Sequence, residues 1–273
     1  MSEEARSPVP AYVTRSSLAR DIRALGLQPG RAVMLHASVK ALGWVVGGPD
    51  TVIQAVLDVV GPAGTLLMFA GWEDDTFALD TWEEARRQAY LAERAPFDPA
   101  RSRADRRNSI LAEYLRTWSG ALRSDHPEAS VVALGRLAEV LTRDHPRAYA
   151  YGPGSPLDRL VDAGGASLVL GSPLSRVTLL HLAENLARVE GKRVVRYRMP
   201  VLQGGTRAWE AFEDFDTTQH LTPKALPDYF GLVVRAYLDA GRGREGRAGR
   251  ASACLLDARE LVAFGTAWME RNL

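Results

Sequence analysis

The sequence holds a single cysteine, Cys254, in 273 residues. One thiol cannot close an intramolecular disulfide or build a cysteine-based metal cluster. Within ASACLLDA, a strand-like run, Cys254 reads as a small core residue rather than a reactive nucleophile. An excess of one charge is also missing, because 34 Lys and Arg stand against 33 Asp and Glu for a net charge of +1. That balance gives no electrostatic reason to expect nucleic acid or an anionic membrane as partner, so any charge selectivity must be local.

No stretch approaches the roughly 18–20 apolar residues of a membrane helix. The opening MSEEARSPVPAYV lacks the basic-then-apolar order of a secretory signal, and a cytoplasmic location is the expectation. The five histidines include no pair at the i, i+4 spacing of a zinc protease, so no metal is expected. Neither GxGxxG nor a Walker pattern occurs, and there is no internal repeat.

What the chain does have is the balance of a folded enzyme, 46% hydrophobic and 25% charged residues. Its length fits one domain over residues 1–273. SSLARDIRALGL predicts a Ser-capped helix and AVMLHAS a buried strand; PDTVIQAVLDVVG and TLLMFAG repeat that order. Alternation of this kind predicts an α/β fold with a central, mostly parallel or mixed sheet flanked by helices. Residues 72–108 are polar and aromatic and exceed an ordinary connection, which predicts a partly helical insertion shaping a site. Beyond it come a helix at LAEYLRTW, a strand ASVVALG, a helix GRLAEVLTRD, a loop YGPGSPLDRL and a strand ASLVLGS. VVRYRMPVLQGGTRAWEAFEDF predicts a hairpin turned at Gly204 and Gly205, GRGREGRAGR a solvated flexible loop, and the tail a strand and a helix.

Three places carry chemistry. LHASVKALGWVVGGPD puts small and hydroxylic residues between a strand end and a helix start, which reads either as a bare turn or as an anion cradle. In RVTLLHLAEN, Val177, Leu180 and Ala183 keep helical spacing while His181 and Glu184 share a face. His181 is then either a quiet core histidine or a group facing a cavity just after a strand. EAFEDFDTT crowds Glu213, Asp214 and Asp216 together, as a solvated edge or as an acidic wall. His126 and His145 precede prolines in loops and read as surface or hydrogen-bonding residues, and His36 as packing at a strand end.

Taken in order, LHASVKALGWVVGGPDTVI, LRSDHPEASVVALG, YGPGSPL, TLLHLAEN and EDFDT resemble the aminoglycoside 3-N-acetyltransferases from about Thr14 to Trp268. The resemblance implies an antibiotic N-acetyltransferase fold, acetyl-coenzyme A as cosubstrate, and the 3-amino group of a deoxystreptamine aminoglycoside as acceptor, hence antibiotic resistance. It places His36, Ala37, Ser38, Val39, Lys40, Ala41, Leu42 and Gly43, with Arg123, Ser124 and Thr178, on the coenzyme side. Trp72, Asp74, Asp75, Tyr151, Asp214 and Asp216 fall on the acceptor side, where carboxylates suit a polycation.

An ammonium must shed a proton before it attacks a thioester, and imidazole titrates near neutrality. By resemblance His181 is the general base, with Asp216, Asp214 or Glu184 as its orienting partner. The alternatives are an acetyl-coenzyme A-dependent enzyme for another amine and a non-catalytic protein binding a polycation or coenzyme A. Both a monomer and a homodimer are compatible with the sequence.

Overall fold

A computed structural model describes residues 12–73, 79, 81–216, 221–222 and 226–273. In chain order these form α1 (Arg15–Ala24), β1 (Ala32–Ala37), α2 (Val39–Leu42), α3 (Pro49–Val60), β2 (Thr65–Phe69), α4 (Glu84–Glu93), α5 (Ile110–Arg116), β3 (Leu122–Arg123), β4 (Val131–Gly135) and α6 (Ala138–Thr142). There follow α7 (Pro156–Asp162), β5 (Ala166–Leu170), α8 (Leu180–Leu186), β6 (Val194–Gln203), β7 (Thr206–Phe215), α9 (Tyr229–Asp239), β8 (Arg244–Ala248), β9 (Ala251–Asp257) and α10 (Ala258–Asn272).

The helices begin where local chemistry satisfies their free amides. The cap of α1 is Thr14 rather than the expected serine, with Ser17 closing a capping box; Pro49 occupies the first turn of α3, and Ser155 caps α7 from its hydroxyl. YGPGSPLDRL is therefore not wholly a loop. Its second half is α7, because Ser155 and Pro156 form a cap and first turn.

Seven strands form one sheet in the order β3-β4-β2-β1-β5-β9-β8. β1 pairs in parallel with β2 and with β5, whereas the β2–β4, β3–β4, β5–β9 and β8–β9 pairings are antiparallel. The mixed sheet is as expected, but the mostly parallel one is not. β3 and β4, and β8 and β9, follow one another with no helix between them, so each outer pair is antiparallel.

The central strands are apolar on both faces, as burial under helices on each side requires. Val33 and Leu35, Leu66 and Met68, and Leu168 and Leu170 enter one core with α1, α3 and α5. Met34, Leu67 and Val169 enter the opposite core with α8, α9 and α10. Cys254 lies in that second core at 3% exposure, as the sequence indicates.

GRGREGRAGR differs from its expectation, since Arg244–Ala248 is the edge strand β8 paired to β9. Its charged and glycine-rich composition marks a solvated edge that resists further pairing, not a loop. The hairpin of β6 and β7 is a separate two-stranded sheet in register from Val194↔Phe215 to Gln203↔Thr206. Gly204 and Gly205 turn it at φ 56° and 82°, a conformation that glycine adopts freely. Within the insertion, α4 supplies the helical part. Phe97 joins the hairpin by donating its N–H to Pro200 O at 2.7 Å and accepting from Leu202 N at 3.0 Å.

Candidate active site

The carboxyl ends of the parallel strands open onto a cavity of about 410 Å3. Leu35, His36 and Ala37 of β1, Met68 and Phe69 of β2, and Ser172 just beyond β5 form its floor. This is where an open α/β sheet leaves room for a ligand, since helices cover the faces but not the strand ends. Thr178, His181 and Glu184, with Asp216, Asp228, Tyr229 and Phe230, form one wall; Asn108, Ser109, Ser175 and Arg176 add polar groups.

α8 delivers His181 and Glu184 to the same side because residues three apart share a helix face. Nδ1 of His181 and Oε2 of Glu184 are 2.5 Å apart. A carboxylate only accepts, so Nδ1 carries the proton and Nε2 is left with the lone pair. Glu184 is 2% exposed, and such a carboxyl needs partners to be tolerated. Its other oxygen, Oε1, receives the hydroxyl of Tyr229.

The imidazole is fixed by rings as well. Tyr151 lies against it with centroids 4.8 Å apart and planes at 37°, and Phe230 meets it edgewise at 4.8 Å and 62°. The end of α8 is tied down by Lys192, whose ammonium donates to Glu184 O at 2.6 Å and lies 4.4 Å from the Phe215 ring centroid.

The acidic run divides by role. Asp216 reaches the cavity, 7% exposed, and accepts from the Arg193 guanidinium at 3.0 Å. Asp214 instead supports the loop behind Tyr151: Oδ1 accepts Ala150 N–H at 2.6 Å and Oδ2 accepts Tyr197 O–H at 2.8 Å. Burial pushes Asp214 up to about 6 against the pull of these donors. Glu184, rather than Asp216 or Asp214, thus partners His181, because only Glu184 rides the same helix face. Asp74 and Asp75 lie outside the described residues.

The expected coenzyme residues are dispersed. His36 and Ala37 line the cavity, and burial pushes His36 down to about 4, so its ring is neutral. Ser38 caps the single turn of α2, Val39 and Lys40 lie in that turn, and Leu42 is fully buried. Ala41 lines a separate cavity of about 500 Å3, and Gly43 turns at φ 105°. Thr178 lines the main cavity.

Arg123 and Ser124 stand outside that lining. The Arg123 guanidinium donates to the carbonyls of Gly71 and Ser102 and to Ser130 Oγ, while the fully buried Ser124 hydroxyl bridges Val131 N and His145. Trp72 also stands outside that lining, 5% exposed and packed against Phe97 beneath the Arg94 guanidinium. His126 and His145 are buried at 0% and 7%, so a surface role is excluded and their hydrogen bonds are internal.

Sequence reasoning missed Asp228, Tyr229 and Phe230. The signal was present in LPDYF, a polar turn followed by adjacent aromatics opening a helix, but nothing local shows that one ring meets His181 and the other Glu184, far away in sequence.

Comparison with known proteins identifies the family. The family model described as aminoglycoside 3-N-acetyltransferase matches residues 34–270. Aminoglycoside N(3)-acetyltransferase III of Pseudomonas aeruginosa is 46% identical over 258 residues, covering 94% of this chain and 93% of its own. The crystal structure of aminoglycoside acetyltransferase AAC(3)-Xa superposes with a TM-score of 0.93 at 46% identity, covering 96% of this chain and 94% of that one. A structure of AAC-IIIb in binary complex with CoASH gives a TM-score of 0.90 at 46% identity, covering 95% and 97%. With the match extending over nearly the whole chain, this protein belongs to the aminoglycoside 3-N-acetyltransferase family.

Proposed function

We propose that the protein transfers the acetyl group of acetyl-coenzyme A to the 3-amino group of a deoxystreptamine aminoglycoside, with His181 as general base and Glu184 as its orienting partner. The observation that carries this reading is the 2.5 Å contact of His181 Nδ1 with Glu184 Oε2 on the wall of the cavity. Glu184 holds the tautomer whose Nε2 is basic and stabilises the imidazolium once a proton arrives.

Nε2 takes the proton from the acceptor ammonium. The freed nitrogen lone pair forms the new N–C bond at the thioester carbonyl, the carbonyl electrons move to oxygen, and their return breaks the C–S bond. The coenzyme leaves as a thiolate that the imidazolium reprotonates, and the second proton, which the nitrogen sheds as the amide forms, is released to solvent. Asp216 and Asp228 supply negative charge at the cavity for a polyammonium substrate. Ser172, Ser175, Thr178 and Arg176 are the polar groups suited to the coenzyme and to the developing oxyanion.

A relay through an acetyl-cysteine is disfavoured. Cys254 is 3% exposed, and burial pushes its thiol up to about 12, leaving almost no thiolate near neutral pH. Direct attack with both substrates bound accords with that.

The decisive experiment is thiol release from acetyl-coenzyme A with gentamicin, kanamycin, apramycin and simple amines, run beside His181→Ala. Release with the drugs that falls by about 10² or more in the variant, with coenzyme A binding retained, is the expected result. Near-normal turnover by the variant would remove the general-base assignment, and release only with non-aminoglycoside amines would reassign the acceptor.

A further inference from the structure

We propose that His145 is a positioning residue: by gripping the carbonyl of Ala150 it holds the ring of Tyr151 against His181. The inference rests on the reading of His181 as the base.

His145 lies in the connection between α6 and α7, and both ring nitrogens are engaged inside the fold. Nε2 is 2.7 Å from Ala150 O. A carbonyl only accepts, so Nε2 bears the proton and Nδ1 the lone pair. That lone pair takes the Ser124 hydroxyl at 2.9 Å, and the Ser124 oxygen accepts the N–H of Val131 in β4 at 2.9 Å. A chain of hydrogen bonds thus runs from the sheet to the peptide before Tyr151. Burial pushes His145 down to about 4, which preserves this neutral arrangement at working pH.

The same residue is gripped from the other side, since Ala150 N–H donates to Asp214 Oδ1 at 2.6 Å. Tyr149, next in line, sits at φ 51° and donates its N–H to Glu213 O at 2.7 Å. A tyrosine in the left-handed region is strained, so this loop holds its shape only while its clamps hold. Gly152 completes the register, because a Cβ there would stand 2.8 Å from Asn185 Oδ1, and Asn185 in turn donates to His181 O at 2.9 Å. The loop is therefore indexed to α8 at the turn that carries the base.

The consequence is rotational. Glu184 fixes one nitrogen of the imidazole, but the ring plane is set by Tyr151 on its face and Phe230 at its edge. Releasing Ala150 O lets Tyr151 withdraw and the aim of Nε2 broaden, which lowers turnover without touching the coenzyme.

The test is steady-state kinetics of His145→Leu, His145→Gln, Tyr151→Leu and the double variant His145→Leu/Tyr151→Leu, with acetyl-coenzyme A and gentamicin. His145→Leu keeps the apolar volume but removes the donor; kcat is expected to fall about tenfold with KM for acetyl-coenzyme A unchanged. His145→Gln, whose side-chain N–H reaches the same carbonyl, is expected to recover most of the loss. The double variant should be no worse than Tyr151→Leu alone, because both changes break one device. A kcat within twofold of the parent in His145→Leu, no difference between Leu and Gln, or multiplicative losses in the double variant would overturn the proposal. If His145→Leu does not fold, Ser124→Ala replaces it under the same comparison with Tyr151→Leu: a non-additive kcat loss supports the relay and a multiplicative one overturns it. His181→Ala separates the two readings. An active His181→Ala removes the base and with it this positioning role, whereas an inactive one beside an unaffected His145→Leu removes the positioning role alone.

Discussion

Glu184 accepts from His181 through one carboxylate oxygen and from the hydroxyl of Tyr229 through the other, so one buried carboxyl joins α8 to the first turn of α9. The arrangement explains how a carboxyl at 2% exposure is accommodated in an otherwise apolar helix interface.

Removing either partner should have separable effects. Glu184→Gln leaves an acceptor for His181 but no charge to balance an imidazolium, and kcat is expected to fall by roughly 10². Tyr229→Phe removes only the second donor and should cost about 1–2 kcal/mol of stability, with a smaller kcat loss. Thiol-release kinetics and urea denaturation of the two variants check this order.

The placement of α8 depends on a glycine in α10. A Cβ at Gly265 would lie 2.8 Å from Leu180 Cδ2 and 3.2 Å from Ala183 Cβ, and it would push on the turn that holds His181. Gly265→Ala gains helix propensity of about 1 kcal/mol, yet overpacking of about 1–3 kcal/mol should outweigh it. The expected outcome is a lower denaturation midpoint together with reduced kcat; a more stable, fully active variant would show that the interface yields.

Acid should unfold the protein through its buried histidines. Burial holds His36 and His145 down to about 4 and His126 well below its ordinary value, so the folded state keeps them neutral. The unfolded chain protonates them near 6.5, so stability present above that pH is lost as pH falls from about 6.5 toward 4. Asp214, raised to about 6, acts oppositely, since its ionisation disfavours folding as pH rises toward 6, but it is a single group against three. Thermal melts between pH 7.5 and 4 should show falling Tm, and a flat profile would contradict the buried neutral state.

Cys254 should be dispensable for chemistry. Cys254→Ala is expected to retain kcat within about twofold while losing on the order of 1 kcal/mol of stability from its packing against the second core. Loss of turnover with an intact fold would reopen a covalent route.

Much of the framework was legible because it is local. Apolar runs such as AVMLHA and TLLMF mark strands buried on both faces, Gly204-Gly205 marks a hairpin turn, and a spacing of three places His181 and Glu184 together. The outer strands were less legible. β8 is rich in arginine and glycine because its edge faces water, and polar edge strands look like loops in sequence.

The sequence by itself determined the central strands, the shared helix face of His181 and Glu184, and the family to which the chain belongs, since each depends on residues close together or on ordered motifs. Only the tertiary structure decided the rest. It gave Glu184 to His181, Asp214 to the Tyr151 loop and Asp216 to the cavity, buried His126 and His145, and brought Tyr229 and Phe230 onto α8. These are contacts between distant segments, and their choice is made by competition among buried polar groups for the few partners the core supplies.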